Sequence, residues 1–488
     1  MKTNRRNFFR LAGVTGAGML TGSLSSCATP TNGKPSALAT IEEAANKAHN
    51  QQFNMSGYAA PKIDIVRIGF IGLGMRGPGA VERMAHIEGV EIKALCDKNM
   101  DRVTEAQKIL ANYGLPEAKA FGGNEEAWKE MCKSDEIDLV YICSPWHLHT
   151  PMAVFAMENG KHAATEVPAA VTIEEAWQLV ETSERTKKHC MMLENCCYDF
   201  FELLTLNMAR QGFFGELVHG EGAYIHDLRN LNFAKDGYAD MWRLKENQHR
   251  NGNLYPTHGL GPVCQAMNIN RGDKMDYLTS MASNDFQMAE MARDLARNDQ
   301  FFNEFATNGY RGNMNTTLIR TEKGKTIMVQ HDVTSPRPYS RIHLLSGTQG
   351  VASKWPSPER IAQGHEWFDD AKMAELKEKY TPEIVKKVGE MAKKVGGHGG
   401  MDFIMDWRLI DCLRNGLPLD QDVYDAALWS CIAPLSEWSV ANRSNAITVP
   451  DFTCGSYKTN DPVDLSLATG GNTQVRTKAE GVGNQLKI

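Results

Sequence analysis

The 488-residue sequence predicts an α/β fold of two domains, a doubly wound parallel sheet and then an α/β domain with a mixed, largely antiparallel sheet. Three observations predict this fold. Strand-like and helical patterns alternate between Ile65 and Leu193, and a glycine-rich turn, Gly72 to Gly77, follows the first strand. Strand-like runs around a hairpin turn follow in the second half.

The first domain is expected over residues 61–195. Ile65–Ile71 is a continuous apolar run, which is typical of a parallel strand buried on both faces. Val90–Cys96 and Ile137–Cys143 repeat the pattern. Thr172–Glu175 has the capping-box residues that begin a helix, so strands and helices alternate through this region.

The second domain is expected over residues 196–452. A turn-like segment, Thr321–Lys325, separates two of its strand-like runs, as in a hairpin. Met401–Leu413 predicts a late helix, and the polar, glycine-rich residues 453–488 predict a surface tail. The strand-like runs are Leu217–His226, Thr316–Arg320, Thr326–Asp332 and Arg341–Ser346.

Residues 1–27 have the features of an export signal. Arg5 and Arg6 form a twin-arginine start, a short apolar run follows, and Leu24-Ser25-Ser26-Cys27 resembles a lipobox. We therefore expect an exported, periplasmic or cell-envelope protein that meets the membrane only through a lipid at Cys27. A disordered tail with paired arginines is the alternative. Residues 28–60 predict a linker with one short helical pattern.

Net charge and cysteine placement argue against a nucleic-acid-binding protein and against a disulfide-rich or zinc-binding one. The formal net charge is −6, and residues 1–26 carry four basic residues and no acid, so the remainder has −10. An acidic chain without basic clusters argues against nucleic acid as a partner. The chain has 11 cysteines but no CxxC spacing, so we expect buried thiols.

The glycine-rich turn predicts a dinucleotide site. Gly72, Gly74 and Gly77 fit GxGxxG between a strand and a helix, and Asp97 ends the next strand. In such a Rossmann domain the glycines admit the pyrophosphate and the acid binds the ribose hydroxyls, which favours NAD over NADP. Two alternatives stay open: a purely structural glycine turn, and NADP held by Lys98 and Arg102.

Ser144–His149 follows a predicted strand at the edge where open sheets bind ligands. We interpret it as a loop against the nicotinamide, with Trp146 as an apolar wall and His149 as a polar contact. His147 and His149 could ligate a metal, but no third ligand is near in sequence, so no metal is expected.

The same residues resemble the glucose–fructose oxidoreductase/inositol dehydrogenase superfamily over roughly 61–450. Pro145 to His149 and Glu166-Val167-Pro168 match its motifs. Its dehydrogenases carry a lysine where this chain has Val167, and an aspartate where it has Leu254, four residues before His258. This chain therefore lacks two polar groups that an ordinary dehydrogenase of that superfamily would carry.

In these departures the chain resembles glycoside hydrolase family 109, the NAD-using α-N-acetylgalactosaminidases. Matching runs are Met192–Asn195, Tyr255–His258, Asp406–Leu409 and Pro450–Phe452. With the glycine turn, the resemblance implies cofactor contacts at Gly72, Gly74, Met75, Arg76, Gly77, Asp97, Trp146, His147, Leu148, His149, Glu166, Val167 and Asn195. It implies sugar contacts at Tyr224, Arg243, Tyr255, Pro256, Thr257, His258 and Tyr339.

The implied reaction removes terminal α-linked N-acetylgalactosamine from glycans. Oxidation at C3 acidifies C2–H, the C1 substituent leaves by elimination, water adds, and the ketone is reduced again. His258 is the candidate for the C3 hydroxyl proton, and Tyr255, Tyr198 and Glu166 are the other catalytic candidates. A periplasmic NAD(P)-dependent sugar oxidoreductase and a non-catalytic binding lipoprotein are the alternatives, and a homo-oligomer is compatible with the sequence.

Overall fold

The computed structural model describes residues 37–307, 309–478 and 486–487. The chain from Ala37 onward forms one compact unit, and the predicted signal at 1–27 lies outside the described residues. The helices are α1 (Ala37–Asn46), α2 (Gly77–Ala85), α3 (Met100–Asn112), α4 (Ala127–Cys132), α5 (Trp146–Glu158), α6 (Ile173–Thr186), α7 (Phe200–Arg210), α8 (Arg229–Asn232), α9 (Trp242–His249), α10 (Thr257–Met267), α11 (Met288–Asn298), α12 (Asn303–Ala306), α13 (Asp370–Tyr380), α14 (Glu383–Val395), α15 (Met401–Asn415) and α16 (Val423–Ala441).

The first sheet has six parallel strands, which confirms the predicted doubly wound domain. They are β1 (Val66–Ile71), β2 (Val90–Asp97), β3 (Lys119–Gly122), β4 (Leu139–Ile142), β5 (His162–Thr165) and β6 (Cys190–Met192). Their order, β3-β2-β1-β4-β5-β6, reverses direction between β1 and β4. Such a reversal opens a crevice at the carboxyl ends of the strands, where ligands bind.

The second sheet has eight strands and is mixed, as predicted. They are β7 (Leu217–Ile225), β8 (Met275–Ala282), β9 (Asn315–Thr321), β10 (Thr326–Asp332), β11 (Leu344–Gly347), β12 (Val351–Ser353), β13 (Arg360–Ala362) and β14 (Ile447–Thr448). β9 and β10 pair as the expected hairpin, whereas β10 and β7 run parallel. β15 (Thr477–Lys478) and β16 (Leu486–Lys487) form a small separate ladder.

Helices of the second domain pack directly on the first. α16 is almost wholly buried and contacts α6, β6 and β8, so it lies between the two sheets. α15 packs on α2, where Arg83 Nε donates to Asp406 Oδ2 at 2.7 Å. Tyr141 of β4 donates to the other oxygen of Asp406 at 2.8 Å. One hydrophobic core therefore spans both sheets, and a buried ionic contact joins α2 to α15.

The described part of the predicted linker, residues 37–60, instead packs on the body. The ring of His49 stacks on Trp177 with centroids 3.7 Å apart. Gln51 donates to the Tyr424 hydroxyl at 2.7 Å, and Met55 is buried. These contacts are tertiary, so composition could not show them.

The C-terminal segment also runs along the body. Gln474 N donates to Glu88 at 2.8 Å, and Trp407 donates to the Thr473 carbonyl at 3.2 Å. The ten cysteines that the structure describes are free thiols, and all but Cys143 and Cys454 are buried, as expected. In the described chain, no helix combines the length and apolar character needed to cross a bilayer.

Candidate active site

A cleft of about 850 Å³ lies at the carboxyl edge of the first sheet. Loops after β1, β2 and β4 form one wall, and residues of the second domain, including Tyr224 and His258, form the other. Its size is within the usual range for cofactor and substrate pockets. The cleft is therefore the candidate active site.

The glycine turn fits a dinucleotide because side chains there would collide with backbone. Gly72 has φ +86°, and a Cβ on it would lie 2.7 Å from the carbonyl oxygen of Cys143. A Cβ on Gly77 would lie 2.1 Å from the carbonyl oxygen of Gly72. At Gly74 the nearest atom, 3.3 Å away, belongs to the flexible Arg102 side chain. The glycines thus allow a tight turn and place no side chain over the start of α2, where a phosphate can bind.

Asp97 ends β2 with its carboxylate at the cleft. It accepts hydrogen bonds from the backbone N–H of Leu73 at 2.8 Å and of Asn99 at 2.9 Å. These bonds link the acid to the glycine turn and fix it where a ribose would lie. The carboxylate fits the vicinal hydroxyls of NAD and disfavours a phosphate there.

Two cations near Asp97, Lys98 and Arg102, bear on the alternative that the cofactor is NADP. Lys98 donates to Asp240 Oδ2 at 2.9 Å, and a guanidinium nitrogen of Arg102 lies 3.7 Å from Asp97. Both cations face carboxylates, so neither adds an uncompensated positive charge for a phosphate.

Trp146 to His149 form the first turn of α5, not the loop that we predicted. The ring nitrogens of His149 lie 2.7 Å from the carbonyl oxygens of Pro168 and Ser144, and burial lowers the pKa of the ring. His149 therefore ties two backbone segments together instead of offering the expected free polar contact. Trp146, the predicted apolar wall, lines the cleft together with His147, Leu148 and His149.

Arg76 and Glu166 form an ion pair at the cleft. Arg76 Nε donates to Glu166 Oε1 at 2.8 Å, and another guanidinium nitrogen donates to Asp402 at 3.3 Å. The Glu166 carboxylate raises the pKa of Arg76 above its ordinary value. Asn195 also donates to Asp402. Glu166 is thus a charge-paired group, and Met75 and Val167 line the cleft beside it.

Arg243 carries a buried positive charge among aromatic rings. Its guanidinium carbon lies 5.2 Å from the ring centre of Trp146 and 5.0 Å from that of Tyr255. Nη1 donates to the Tyr238 hydroxyl at 2.7 Å, whereas the buried Nη2 has no hydrogen-bond acceptor within the described structure. Burial opposes the charge, but the hydroxyls of Tyr238, Tyr224 and Tyr255 keep the pKa of Arg243 raised. Arg243 therefore gives this wall of the cleft a buried positive charge that is held among aromatic rings.

Tyr224 pairs with a histidine that the sequence analysis did not select. His226 Nδ1 lies 3.0 Å from the Tyr224 hydroxyl, and both residues line the cleft. Burial, and then Arg243, lower the pKa of His226. Tyr339, predicted to contact sugar, packs its ring 5.0 Å from His226 and is not among the residues that line the cleft.

His258, at the start of α10, faces the cleft beside a second residue that we missed. Its Nδ1 lies 2.7 Å and 3.0 Å from the two oxygens of Glu194, whose side chain is fully buried. Burial raises the pKa of Glu194, but the charge and hydrogen bond of His258 lower it overall. A carboxylate at a strand end is the signal that could have selected Glu194.

The side chains of Glu194, Cys196 and His258 also bring ligand-type atoms within 4.8 Å of one another, a spacing that could hold a metal ion. The hydrogen bond between Glu194 and His258 already engages both of those groups. We therefore interpret the group as a hydrogen-bonded pair beside a buried thiol.

Besides Tyr339, three residues predicted for catalysis or sugar binding do not line the cleft: Tyr198, Pro256 and Thr257. Tyr198 ends a short 3-10 helix and donates to Asp420 at 3.3 Å inside the second domain, and burial raises its pKa well above 10. It does not line the cleft, so its predicted catalytic role is not supported. Pro256 and Thr257 precede His258 and set the start of α10, without lining the cleft.

Two family models match the chain along its length. Residues 66–194 match "Oxidoreductase family, NAD-binding Rossmann fold", and residues 198–459 match "Glycosyl hydrolase 109, C-terminal domain". A "Glycosyl hydrolase family 109 protein 1" of Bacteroides fragilis strain YCH46 is 51% identical over 424 residues, or 83% of this chain and 89% of the relative.

The chain belongs to glycosyl hydrolase family 109. Another relative in the family, from Shewanella pealeana, is 47% identical and covers 95% of this chain and 99% of its own. A protein named "Alpha-N-acetylgalactosaminidase" from Bacteroides fragilis strain ATCC 25285 is 51% identical over 412 residues, 83% of this chain and 96% of its own.

Solved structures share the fold of this family 109 member. Levoglucosan dehydrogenase in complex with NADH superposes with a TM-score of 0.58 at 16% identity, covering 79% of this chain and 99% of that one. The scyllo-inositol dehydrogenase of Lactobacillus casei with NAD(H) gives 0.56 at 14% identity, covering 79% and 99%. The Rossmann match, the glycine turn and Asp97 agree that the cofactor of the cleft is NAD.

Proposed function

We propose that this chain hydrolyses terminal α-linked N-acetylgalactosamine from glycans by an oxidation and elimination route. The observation that carries the proposal is one cleft that joins a dinucleotide cradle to His258, Tyr255 and Arg243. A relative at 51% identity, named an α-N-acetylgalactosaminidase, supports the choice of sugar.

The cradle holds the cofactor through the glycine turn and Asp97. When bound, NAD supplies reversible oxidation at C3 of the sugar, which acidifies the neighbouring C2–H. Arg76 and Glu166 line the cradle as a neutral pair, so they hold their places without repelling the diphosphate.

His258 suits the proton of the C3 hydroxyl. Its Nδ1 faces the Glu194 carboxylate, so its other ring nitrogen is the one that can accept a proton from a ligand. A neutral imidazole accepts a proton near neutral pH, which general-base work at a sugar hydroxyl requires.

Tyr255 and Arg243 suit binding and charge stabilisation. Burial raises the pKa of Tyr255 well above 10, so its hydroxyl stays protonated and is a donor to oxygen, not a base. Arg243, which also lines the cleft, adds a positive charge beside it. The donor and the positive charge both favour an enolate oxygen at C3 over a neutral hydroxyl.

The reaction is tested with p-nitrophenyl α-N-acetylgalactosaminide in deuterium oxide, without added NAD. We expect nitrophenol release and deuterium at C2 of the free sugar, because elimination breaks C2–H and water addition restores it. The matched β-anomer is the control for linkage. Release that leaves C2 and C3 without exchange or isotope effects would contradict the route.

The same assay separates the alternatives. Net reduction of added NAD by free sugar, without nitrophenol release, would indicate the sugar oxidoreductase. Val167, which stands where that superfamily's dehydrogenases have lysine, counts against this outcome. Binding of sugar with neither reaction would indicate the lipoprotein that binds without catalysis.

We further propose export and lipid anchoring at Cys27, supported by the twin-arginine and lipobox pattern of residues 1–27. Full-length protein is expected in the membrane fraction with an acyl-modified N-terminus. Cys27→Ser should leave unlipidated precursor or soluble protein. A wild-type protein that retains Met1 and is fully soluble would contradict the proposal.

A further inference from the structure

Glu194 is the buried carboxylate closest to the proposed chemistry, and its position is fixed from several sides. It follows β6, and its carboxylate accepts the backbone N–H of Cys196 at 3.1 Å. Gln421 of the second domain donates to the Glu194 carbonyl at 2.9 Å. With its side chain fully buried, Glu194 has no freedom to turn toward solvent.

The contact with His258 determines which ring nitrogen carries the proton. Both carboxylate oxygens lie within 3.0 Å of Nδ1, and an ionised carboxylate can only accept. Nδ1 therefore donates, and the other nitrogen, Nε2, is left as the acceptor in the neutral ring. Pairing with His258 lowers the pKa of Glu194 overall, so the carboxylate is ionised at neutral pH.

We infer that Glu194 is a positioning residue for His258: it holds one tautomer, aims Nε2 into the cleft and stabilises the ring once protonated. The inference rests on the proposed function, in which His258 takes the C3 hydroxyl proton. Position 254, four residues before His258 and ahead of α10, is leucine, so the chain has no carboxylate at that position. The acid comes instead from the end of β6, in the other domain.

This origin has a physical consequence for the site. His258 begins α10 of the second domain, whereas Glu194 extends from the first sheet. The pair forms only when the two domains are docked, and a rotation of either would separate the atoms. A carboxylate that orients a histidine contributes on the order of 10⁴-fold to turnover in serine proteases, where the amide replacement leaves geometry intact.

The test is Glu194→Gln, with Glu194→Asp as the conservative variant and Glu202→Gln as a control at another buried glutamate. We expect kcat to fall about 100- to 10,000-fold in Glu194→Gln. Sugar and NAD dissociation constants should stay near wild type. Glu194→Asp should recover part of kcat, and the control should leave kcat near wild type in protein that folds.

A second measurement works without turnover. Nitrogen NMR of isotope-labelled histidine, with the His258 signal identified by its loss in His258→Gln, reports the tautomer in resting protein. Wild type should show the proton on Nδ1, and Glu194→Gln should show a mixture or the other tautomer. A proton on Nε2 in wild type would overturn the inference even if neither Glu194 variant folds.

Other outcomes distinguish a failure of the positioning role from a failure of the proposed function. A wild type that hydrolyses no α-N-acetylgalactosaminide refutes the proposed function, while the NMR result still decides the tautomer. Turnover in Glu194→Gln within about threefold of wild type overturns the positioning role. Loss of wild-type activity on chelation, restored by zinc, would assign Glu194, Cys196 and His258 to a metal site and overturn it too.

Discussion

Gly77→Ala perturbs the cofactor cradle by one methyl group. The new Cβ would lie 2.1 Å from the Gly72 carbonyl oxygen, which is backbone and cannot rotate away. Either α2 or the turn must move, and the turn carries the backbone N–H groups that face the diphosphate. Gly79→Ala is the matched control in the same helix, because its Cβ would meet only the end of the Arg83 side chain, at 3.4 Å.

The magnitudes have opposite signs at the two positions. Overpacking a tight site costs about 1–3 kcal/mol, and alanine in a helix returns about 0.5–1 kcal/mol relative to glycine. Gly77→Ala should therefore lower the unfolding free energy by up to about 2.5 kcal/mol, whereas Gly79→Ala should raise it by up to about 1 kcal/mol. If the shifted turn loses one or two backbone hydrogen bonds to the diphosphate, NAD affinity falls about 10-fold or more.

Denaturant unfolding of nucleotide-free protein gives the first quantity, and calorimetric titration with NAD gives the second. Both are compared between Gly77→Ala and Gly79→Ala, which add the same atom two residues apart in one helix, or about 3 Å along its axis at about 1.5 Å per residue. Equal NAD affinity and equal stability in the two variants would refute the packing argument. Loss of affinity in both would point to the helix N-terminus as a whole.

Tyr255→Phe removes a donor and should lower kcat on the order of 100- to 1,000-fold with little change in NAD affinity, measured by steady-state kinetics; unchanged kcat would contradict the donor role. Asp97→Asn should weaken NAD binding and reduce the difference in affinity between NAD and NADP, measured by titrating each nucleotide. An unchanged preference for NAD would refute the assignment of Asp97 to the ribose. Burial raises the pKa of Glu202, but Arg341 at 2.7 Å and Lys354 lower it overall. The ionised carboxylate therefore stabilises the fold above the unfolded pKa of about 4.3, and this stabilisation is lost as pH falls through the folded pKa. Glu202→Gln should cost about 3–5 kcal/mol at neutral pH and less in acid, and denaturant titrations with a pH-independent difference would contradict this.

The parallel sheet could be predicted because its signals are local. Ile65–Ile71 became β1 with its start moved by one residue, and Val90–Cys96 became β2 with one residue added at its end. Gly72 and Asp97 are 25 residues apart in sequence but are joined by the fixed geometry of a strand, turn and helix. Spacing alone therefore located the cofactor half of the cleft.

The catalytic half depends on contacts between distant residues. Glu194 and His258 are 64 residues apart, and neither local pattern indicates the other. Tyr198 follows Asn195 in sequence, yet one turn of 3-10 helix carries its hydroxyl to Asp420. Proximity in sequence to a site does not fix the direction of a side chain.

The ionic contact between α2 and α15 makes the first domain depend on residues near the end of the chain. Arg83 of α2 pairs with Asp406 of α15, which lies 323 residues later in the sequence, and Tyr141 of β4 donates to the same carboxylate. Removing one partner of a buried ion pair costs about 3–5 kcal/mol. A chain that ends before α15 would leave Arg83 as an unpaired buried charge, so we expect the two domains to fold together and not in isolation.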